Sequence, residues 1–358
     1  MPDSESIQQA AWRRLRKNPG AVLGLVVIAL SLLVAAFAYF IAPDHSPYAN
    51  RMTVEIGGRP PGYSQLFLPV KKAIPGAPKG WMSRLLYGTA DDFLYVPVTA
   101  VKTKGDSVVA QKYIDDGISE PVSFPLAAVD TQLLQRTYWL GTDRYGRDML
   151  SRLVIGTRVS ISVGLIAVII SLTIGIFLGA MAGYFGGGTD DAVMWFINVI
   201  WSIPTLLLVF AITFLLGKGF WQVFVAVGLT MWVTVARIVR GQVLAVRELE
   251  YVEAARALGY THSRIIVRHI LPNILGPVLV VGAANFASAI VIEAGLSFLG
   301  IGVQPPQPSW GLMIKENFNF IITHNPMLAL SPGFAIMLLV LAFNLLGNGM
   351  RDALAVRG

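Results

Sequence analysis

The sequence predicts an all-α polytopic membrane protein of six transmembrane helices, with a mostly irregular or β-structured extracytoplasmic insertion after the first. Three observations lead there. Of 358 residues, 54% are hydrophobic and only 14% charged, and the mean hydropathy is +0.62; soluble domains carry about 25% charged residues. Six apolar runs reach the roughly 20 helical residues that cross a bilayer: 21–42, 159–183, 192–216, 221–239, 274–298 and 331–348. Between the first two, residues 43–139 hold ten of the chain's twenty prolines, with glycine pairs and many polar residues.

Composition narrows the chemistry. The chain has no cysteine, which excludes disulfides, thiolate metal sites and cysteine nucleophiles. His45, His262, His269 and His324 are scattered and no pair has metal-ligand spacing, so no catalytic metal is expected. A phosphate loop of the form G-x-x-x-x-G-K-[ST] is missing, and "YFGGGTDD" lacks the lysine and preceding strand of such a site. The chain therefore does not hydrolyse ATP unaided, and no cofactor is expected. The net charge of +7 lies beside apolar runs rather than in basic stretches with interleaved aromatics, which points to membrane topology and not to nucleic acid.

Taken in order, segment 1–20 ends in "WRRLRKNPG", whose Arg13, Arg14, Arg16 and Lys17 abut the first span and predict a cytoplasmic N-terminus. "VAAFA" resembles a signal-peptide processing site, but the apolar run of 22 residues exceeds the usual h-region of about 7–15, so 21–42 reads as an uncleaved span. In 43–139, "FLYVPVTAVKTKGDSVVAQKYI" alternates around Lys104-Gly105-Asp106 and predicts a hairpin. This insertion docks an extracytoplasmic partner, packs against a neighbouring subunit or is a decoration. Segment 140–158 reads as interfacial: in "DRYGRDMLSR", Arg144, Asp148 and Arg152 at i, i+4 and i+8 predict charge pairs on a helix at the membrane surface.

Within the core, 159–350, Ser171, Gly175, Gly179 and Gly183 recur every fourth residue and predict a seam for close helix packing. Pro204 and Pro277 predict kinks. Glu293 is the one acidic residue deep in an apolar run; it either faces a pathway or bonds the turn of "GLSFLG". Asn198, Asn285 and Asn344 are weaker candidates, because buried asparagines more often bridge helices. Glu293, Asn285 and Pro204 are the candidate pathway or gate residues.

Counting spans puts loop 240–272 on the cytoplasmic side. Its arginines and Arg351 and Arg357 of the tail 351–358, set against only Lys218 and Lys315 in the outer loops, agree with N-in, C-in topology. The loop contains "EYVEAARALGYTHSRIIVRHILPN", neither apolar nor turn-like. Residues 248–258 favour a helix with Tyr251, Ala254, Ala255 and Leu258 on one face. Glu248, Glu250 and Glu253 complement the positive end of its dipole. Gly259 supplies a left-handed cap, Thr261 or Ser263 caps a second helix on which Arg264 and Arg268 share a face, and Pro272 marks the return to the membrane.

This stretch resembles the EAA loop of ABC-importer permeases: Glu253, Ala254, Ala255, Gly259, Leu271 and Pro272 occupy motif positions, while His269 stands where the motif has isoleucine and Ile270 follows. "LGTDRYGRDMLSRL" and "EAGLSFLGIGVQPPQPSWG" resemble segments of dipeptide and oligopeptide permeases of the C type. The resemblance covers 140–358 and the first span but not most of 43–139. It implies a type I importer permease fold in a bacterial inner membrane. It also implies a second homologous permease subunit, two ATP-binding subunits or domains and an extracytoplasmic solute-binding protein as partners. The coupling helix 248–260 would contact the ATPase through Tyr251, Glu253, Ala254, Ala255, Leu258 and Gly259. Dipeptides, longer peptides, nickel chelates and other small solutes all stay open. Two rival classes stay open: an ion-coupled secondary transporter, distinguished by two similar halves with interrupted spans, of which no repeat is evident, and a membrane-embedded enzyme, which needs a cluster of polar residues within spans where only Glu293 qualifies.

Overall fold

The computed structural model describes residues 7–73, 80–217, 219–322 and 325–354. Lys218, His324 and Arg357, used in the topology and metal arguments, lie outside them. The chain runs through helices α1 (Ile7–Lys17), α2 (Pro19–Ala36) and α3 (Ala38–Ile41), strand β1 (Tyr63–Lys71), helix α4 (Trp81–Tyr87) and strands β2 (Phe93–Lys104), β3 (Ser107–Asp115), β4 (Ile118–Pro125) and β5 (Leu134–Tyr138). Helices follow: α5 (Met149–Phe185), α6 (Gly187–Trp201), α7 (Thr205–Leu216), α8 (Phe220–Arg247), α9 (Glu250–Ala257), α10 (His262–Ile265), α11 (Leu271–Leu299), α12 (Trp310–Asn317) and α13 (Met327–Leu354). They form two compact units: Met1–Ser31, Ser160–Gln304 and Ile336–Gly358 in the first, Leu32–Val159 and Pro305–Ala335 in the second.

Among the described residues five helices are long and apolar enough to cross a membrane: α2, α5, α8, the continuous helix His262–Leu299, and α13. The helices α6 and α7 pass the same test together but are bent by 91° where they join, as in a broken span or a re-entrant loop. The kink expected of Pro204 is thus a full break. Proline has no N–H to donate to the carbonyl four residues back, so the last bonds of α6 are Ser202 N–H to Asn198 O and Ile203 N–H to Ile200 O, and the helix restarts at Thr205. Pro277, by contrast, stays inside α11.

The first unit packs through its small residues. A β-carbon on Gly175 would stand 2.5 Å from Val235 Cβ, one on Gly179 2.4 Å from the Ala236 carbonyl oxygen, and one on Gly183 2.8 Å from that of Arg240. The predicted seam therefore joins α5 to α8 within this chain, backbone against backbone. Gly24 does the same for α2, where a β-carbon would lie 2.5 Å from Ala342 O of α13.

The second unit contains one antiparallel sheet in the order β4-β3-β2-β1-β5. The predicted hairpin is present: Lys104 pairs with Ser107, and Gly105 adopts φ +60° in the two-residue turn. Alternation sends Leu68, Val96, Val98, Val108 and Ala110 into one cluster and Phe67, Tyr113 and Tyr138 into another. The insertion is thus more regular than its proline content suggests.

Segment 140–148 is not the interfacial helix expected. Asp143 Oδ1 accepts hydrogen bonds from Tyr145 N–H (2.9 Å) and Arg147 N–H (3.0 Å), a local capture of backbone donors that competes with helix. Gly146 sits at φ +72°. The helix starts only at Met149, where Asp148 Oδ2 accepts from Ser151 N–H at 2.8 Å. Burial raises the Asp148 carboxyl above its usual range, and the bonds from Ser151 oppose this.

Arg144 does not pair with Asp148; its guanidinium meets the Tyr145 hydroxyl. The charge pairs are instead buried, two of them local and two long-range: Arg147 Nε to Asp143 Oδ2 at 2.6 Å and Arg152 to Asp143 at 3.7 Å, and Arg147 Nη2 to Glu316 Oε2 at 2.7 Å and Arg152 to Glu316 at 3.4 Å.

Candidate functional site

Helix α9 is short, and its two sides differ. Val252 and Ala255 are buried in a cluster with Tyr184 of α5, Val239 and Val243 of α8, and Ile265, Ile270 and Ile274. Tyr251, Glu253, Ala254 and Leu258 are exposed, Leu258 at 72%. The expected face of Tyr251, Ala254, Ala255 and Leu258 therefore divides: at about 100° per residue Ala255 turns with Val252 toward the chain's own core. What remains outside is an apolar patch, Tyr251, Ala254 and Leu258, beside the carboxylate of Glu253.

Gly259 ends α9 as the cap chemistry requires. Its φ is +77°, its N–H donates to Arg256 O (3.0 Å), and Tyr260 N–H donates to Ala255 O (3.2 Å), the paired bonds of a Schellman motif. A β-carbon there meets nothing within 4 Å. Glycine is needed for the backbone conformation and not for space.

The chain then re-enters helix after Thr261, though neither Thr261 nor Ser263 caps it with a side chain. The separate second helix expected here is instead the start of the long span: α10 passes through a π-turn, Ile266–Ile270, directly into α11. Pro272 lacks the N–H for the Arg268 carbonyl, and the wider turn, with Leu271 N–H bonding Ile266 O, absorbs the fault. Ile270 is buried, while His269 stacks on Tyr260 with 5.8 Å between centroids. The loop is thereby tied to two spans: through core contacts to the end of α8, and through unbroken helix to α11.

The same unit holds a cleft of about 610 Å³ whose wall includes Trp201, Thr230, Thr234, Asn285, Ser288 and Asn344; none of its lining residues is charged. Of the sequence candidates, Asn285 lines it and also bridges helices, donating to Ser171 Oγ of α5 at 3.3 Å. Pro204 stands at the break between two lining residues, Ile203 and Thr205. Glu293 is fully buried and does not line the cleft: Ser297 Oγ donates to it at 2.6 Å, and Val303 N–H donates to Ser297 Oγ at 3.0 Å. This is the turn-bonding alternative. Sequence reasoning missed Trp201 and Thr234; the signal available was the pair of threonines one turn apart on one face of α8, Thr230 and Thr234.

Five apolar helices of spanning length, a bent helix pair, an uncharged cleft and a capped, exposed loop helix define a multi-pass membrane protein. The family model for the binding-protein-dependent transport system inner membrane component matches residues 175–357, and that for the N-terminal transmembrane domain of oligopeptide transport permease C matches 6–56. The chain belongs to this family of ABC-importer permeases.

A dipeptide transport system permease of Lactococcus lactis is 31% identical over 348 residues, 97% of this chain and 90% of that protein. The insertion that the family motifs leave uncovered thus has a counterpart there. A glutathione transport system permease of Pectobacterium atrosepticum is 42% identical over 217 residues, 61% of this chain and 72% of the relative. An oligopeptide transport system permease of Bacillus subtilis is 39% identical over 219 residues, 61% and 72% respectively.

Proposed function

We propose that this chain is the permease subunit of an ATP-driven importer for peptides or peptide-like solutes, that it forms the pathway with a second homologous permease, and that α9 is its coupling helix. The observation that carries the reading is the two-sided build of α9: Val252 and Ala255 anchor it, while Tyr251, Glu253, Ala254 and Leu258 are exposed, Tyr251 with a 3.5 Å hydrogen bond to His269 O. An exposed apolar patch flanked by a charge marks a protein-contact surface. Two ATP-binding subunits or domains supply the force, and the α9 loop faces the cytoplasm with both termini. A solute-binding protein delivers solute on the other side. Closure of the ATPase pair pushes α9, and α8 and the continuous helix 262–299 carry the displacement to the cleft.

Affinity isolation of the tagged chain from its native membrane in mild detergent tests this. Recovery of one related permease and one or two proteins with phosphate loops is the expected result; recovery of the chain alone, under conditions that preserve a known importer, would overturn it. Two substitutions test α9 itself. Gly259→Val forces a β-branched residue into the left-handed region at a cost of at least ~1–2 kcal/mol, and solute-stimulated ATPase activity of the reconstituted complex is expected to fall about tenfold. Gly259→Asn, which tolerates that region, is expected to retain most of it. Glu253→Lys reverses the charge at the contact and is expected to lower co-purification of the ATPase; normal assembly would remove Glu253 from the interface.

A further inference from the structure

Three arginines punctuate the second half of α8. Arg240 forms a bidentate pair with Asp190, and Arg247 pairs with Glu248 at 2.7 Å and donates to Gly183 O at 3.0 Å. Arg237 differs. Among the described residues it has no carboxylate partner: Nη2 donates to Asn198 Oδ1 at 3.1 Å, the guanidinium carbon lies 3.5 Å from the centroid of the Trp201 ring, and Nε is shielded with no hydrogen-bond partner. It stands at the end of an apolar run, one turn beyond the cleft-lining Thr234, and the ring that holds it, Trp201, lines the same cleft immediately before the break at Pro204.

We infer that Arg237, backed by Trp201 and Asn198, is a carboxylate station at the loop end of the cleft, and that it receives the terminal carboxylate of a peptide leaving the pathway. This rests on the peptide-importer reading and adds the group on the solute that is recognised. The chemistry is specific. A guanidinium stacked on an aromatic ring presents its planar edge to an acceptor; with Nε shielded and one Nη2 hydrogen held by Asn198, the donors left for a carboxylate are Nη1 and the second Nη2 hydrogen. The cleft wall itself is neutral and apolar apart from small hydroxyl and amide groups, so charge discrimination falls to Arg237 beyond its end, at the acidic end of a solute and not at its amino end. A charged side chain at the edge of an apolar span is a functional candidate whose partner must be named, and the described residues supply no carboxylate for it. The bland account is an arginine that snorkels to the interface. Lysine snorkels equally well but cannot form the stacked fork, which separates the two.

The test uses the complete complex, both permeases, ATPases and binding protein, in proteoliposomes. The probes are an equimolar set of alanine peptides of two to five residues and the same set as C-terminal amides, with ATP-driven uptake read by mass spectrometry at saturating binding protein. The wild type is expected to import free acids about tenfold faster than amides, the range of a charge-assisted hydrogen-bonded pair. Arg237→Gln is expected to bring the acid rate down to the amide rate while leaving the amide rate unchanged, and Arg237→Lys to restore the acid preference only in part.

Equal loss for acids and amides would overturn the inference in favour of a structural role, and full activity of Arg237→Lys in favour of snorkelling. Loss of the second permease from the purified Arg237→Gln complex would overturn it in favour of a carboxylate supplied by that subunit. These results all leave ATP-driven peptide uptake by the wild type intact. Absence of uptake of every peptide in the wild type would instead defeat the importer reading, and the inference with it.

Discussion

Glu316→Ala is expected to destabilise the protein by about 3–5 kcal/mol, the cost of removing one partner from a buried ion cluster. Asp143, Arg147, Arg152 and Glu316 have side chains 0%, 2%, 1% and 7% exposed. Without the Glu316 carboxylate, Arg152 keeps only Asp143, 3.7 Å away, and two guanidinium groups share one acid in a site shielded from water. The measurement is the loss of monodisperse protein with temperature in detergent. Glu316→Gln, which retains an acceptor but not the charge, is expected to fall between wild type and alanine. The double replacement Arg147→Met with Glu316→Met removes one charge of each sign and is expected to cost less than the sum of the two single changes. Strict additivity would show that the four groups do not act as a unit.

Gly179→Leu is the second large effect. The added β-carbon alone would stand 2.4 Å from the Ala236 carbonyl oxygen and 2.9 Å from Val239 Cβ, and a backbone atom cannot swing aside as a side-chain tip does. Overpacking of this kind costs about 1–3 kcal/mol when side chains can adjust and more when backbones must separate. The yield of folded protein is expected to collapse. Gly187→Leu, at the start of α6 where a β-carbon meets nothing within 4 Å, carries only the penalty of its φ of +49° and is expected to be far milder. Comparable yields for the two would mean that the α5–α8 seam is not close-packed.

The parts of this protein that were legible beforehand share one property: a short stretch of chain decides them. Hydropathy over about twenty residues marks six apolar runs, and five of them are single helices of spanning length. The hairpin follows from alternation around Gly105, and the end of α9 from a glycine placed where the left-handed region is required. The glycine row of α5 announced close packing, although its partner, α8, could not be read from it. In the candidate sites, the helix and its cap were legible, but the inward turn of Ala255 was not, because several apolar faces of an eight-residue helix are equally consistent with a 3.6-residue period.

Amino-acid sequence by itself determined that this is a multi-pass membrane protein, where its spans and insertion lie, and that a capped helix separates two of the spans. Tertiary structure alone decided the rest. Arg147 is set against Glu316, 169 positions away, and Glu293 is placed on the Ser297–Val303 turn and not in the cleft. The 262–299 helix is continuous through a π-turn, and among the described residues Arg237 is left with a ring and an amide but no acid. The division has a physical origin. Transfer to lipid, turn strain and helix capping are local free energies summed along the chain, whereas the partner of a buried charge depends on which distant segments the fold brings within a few ångströms.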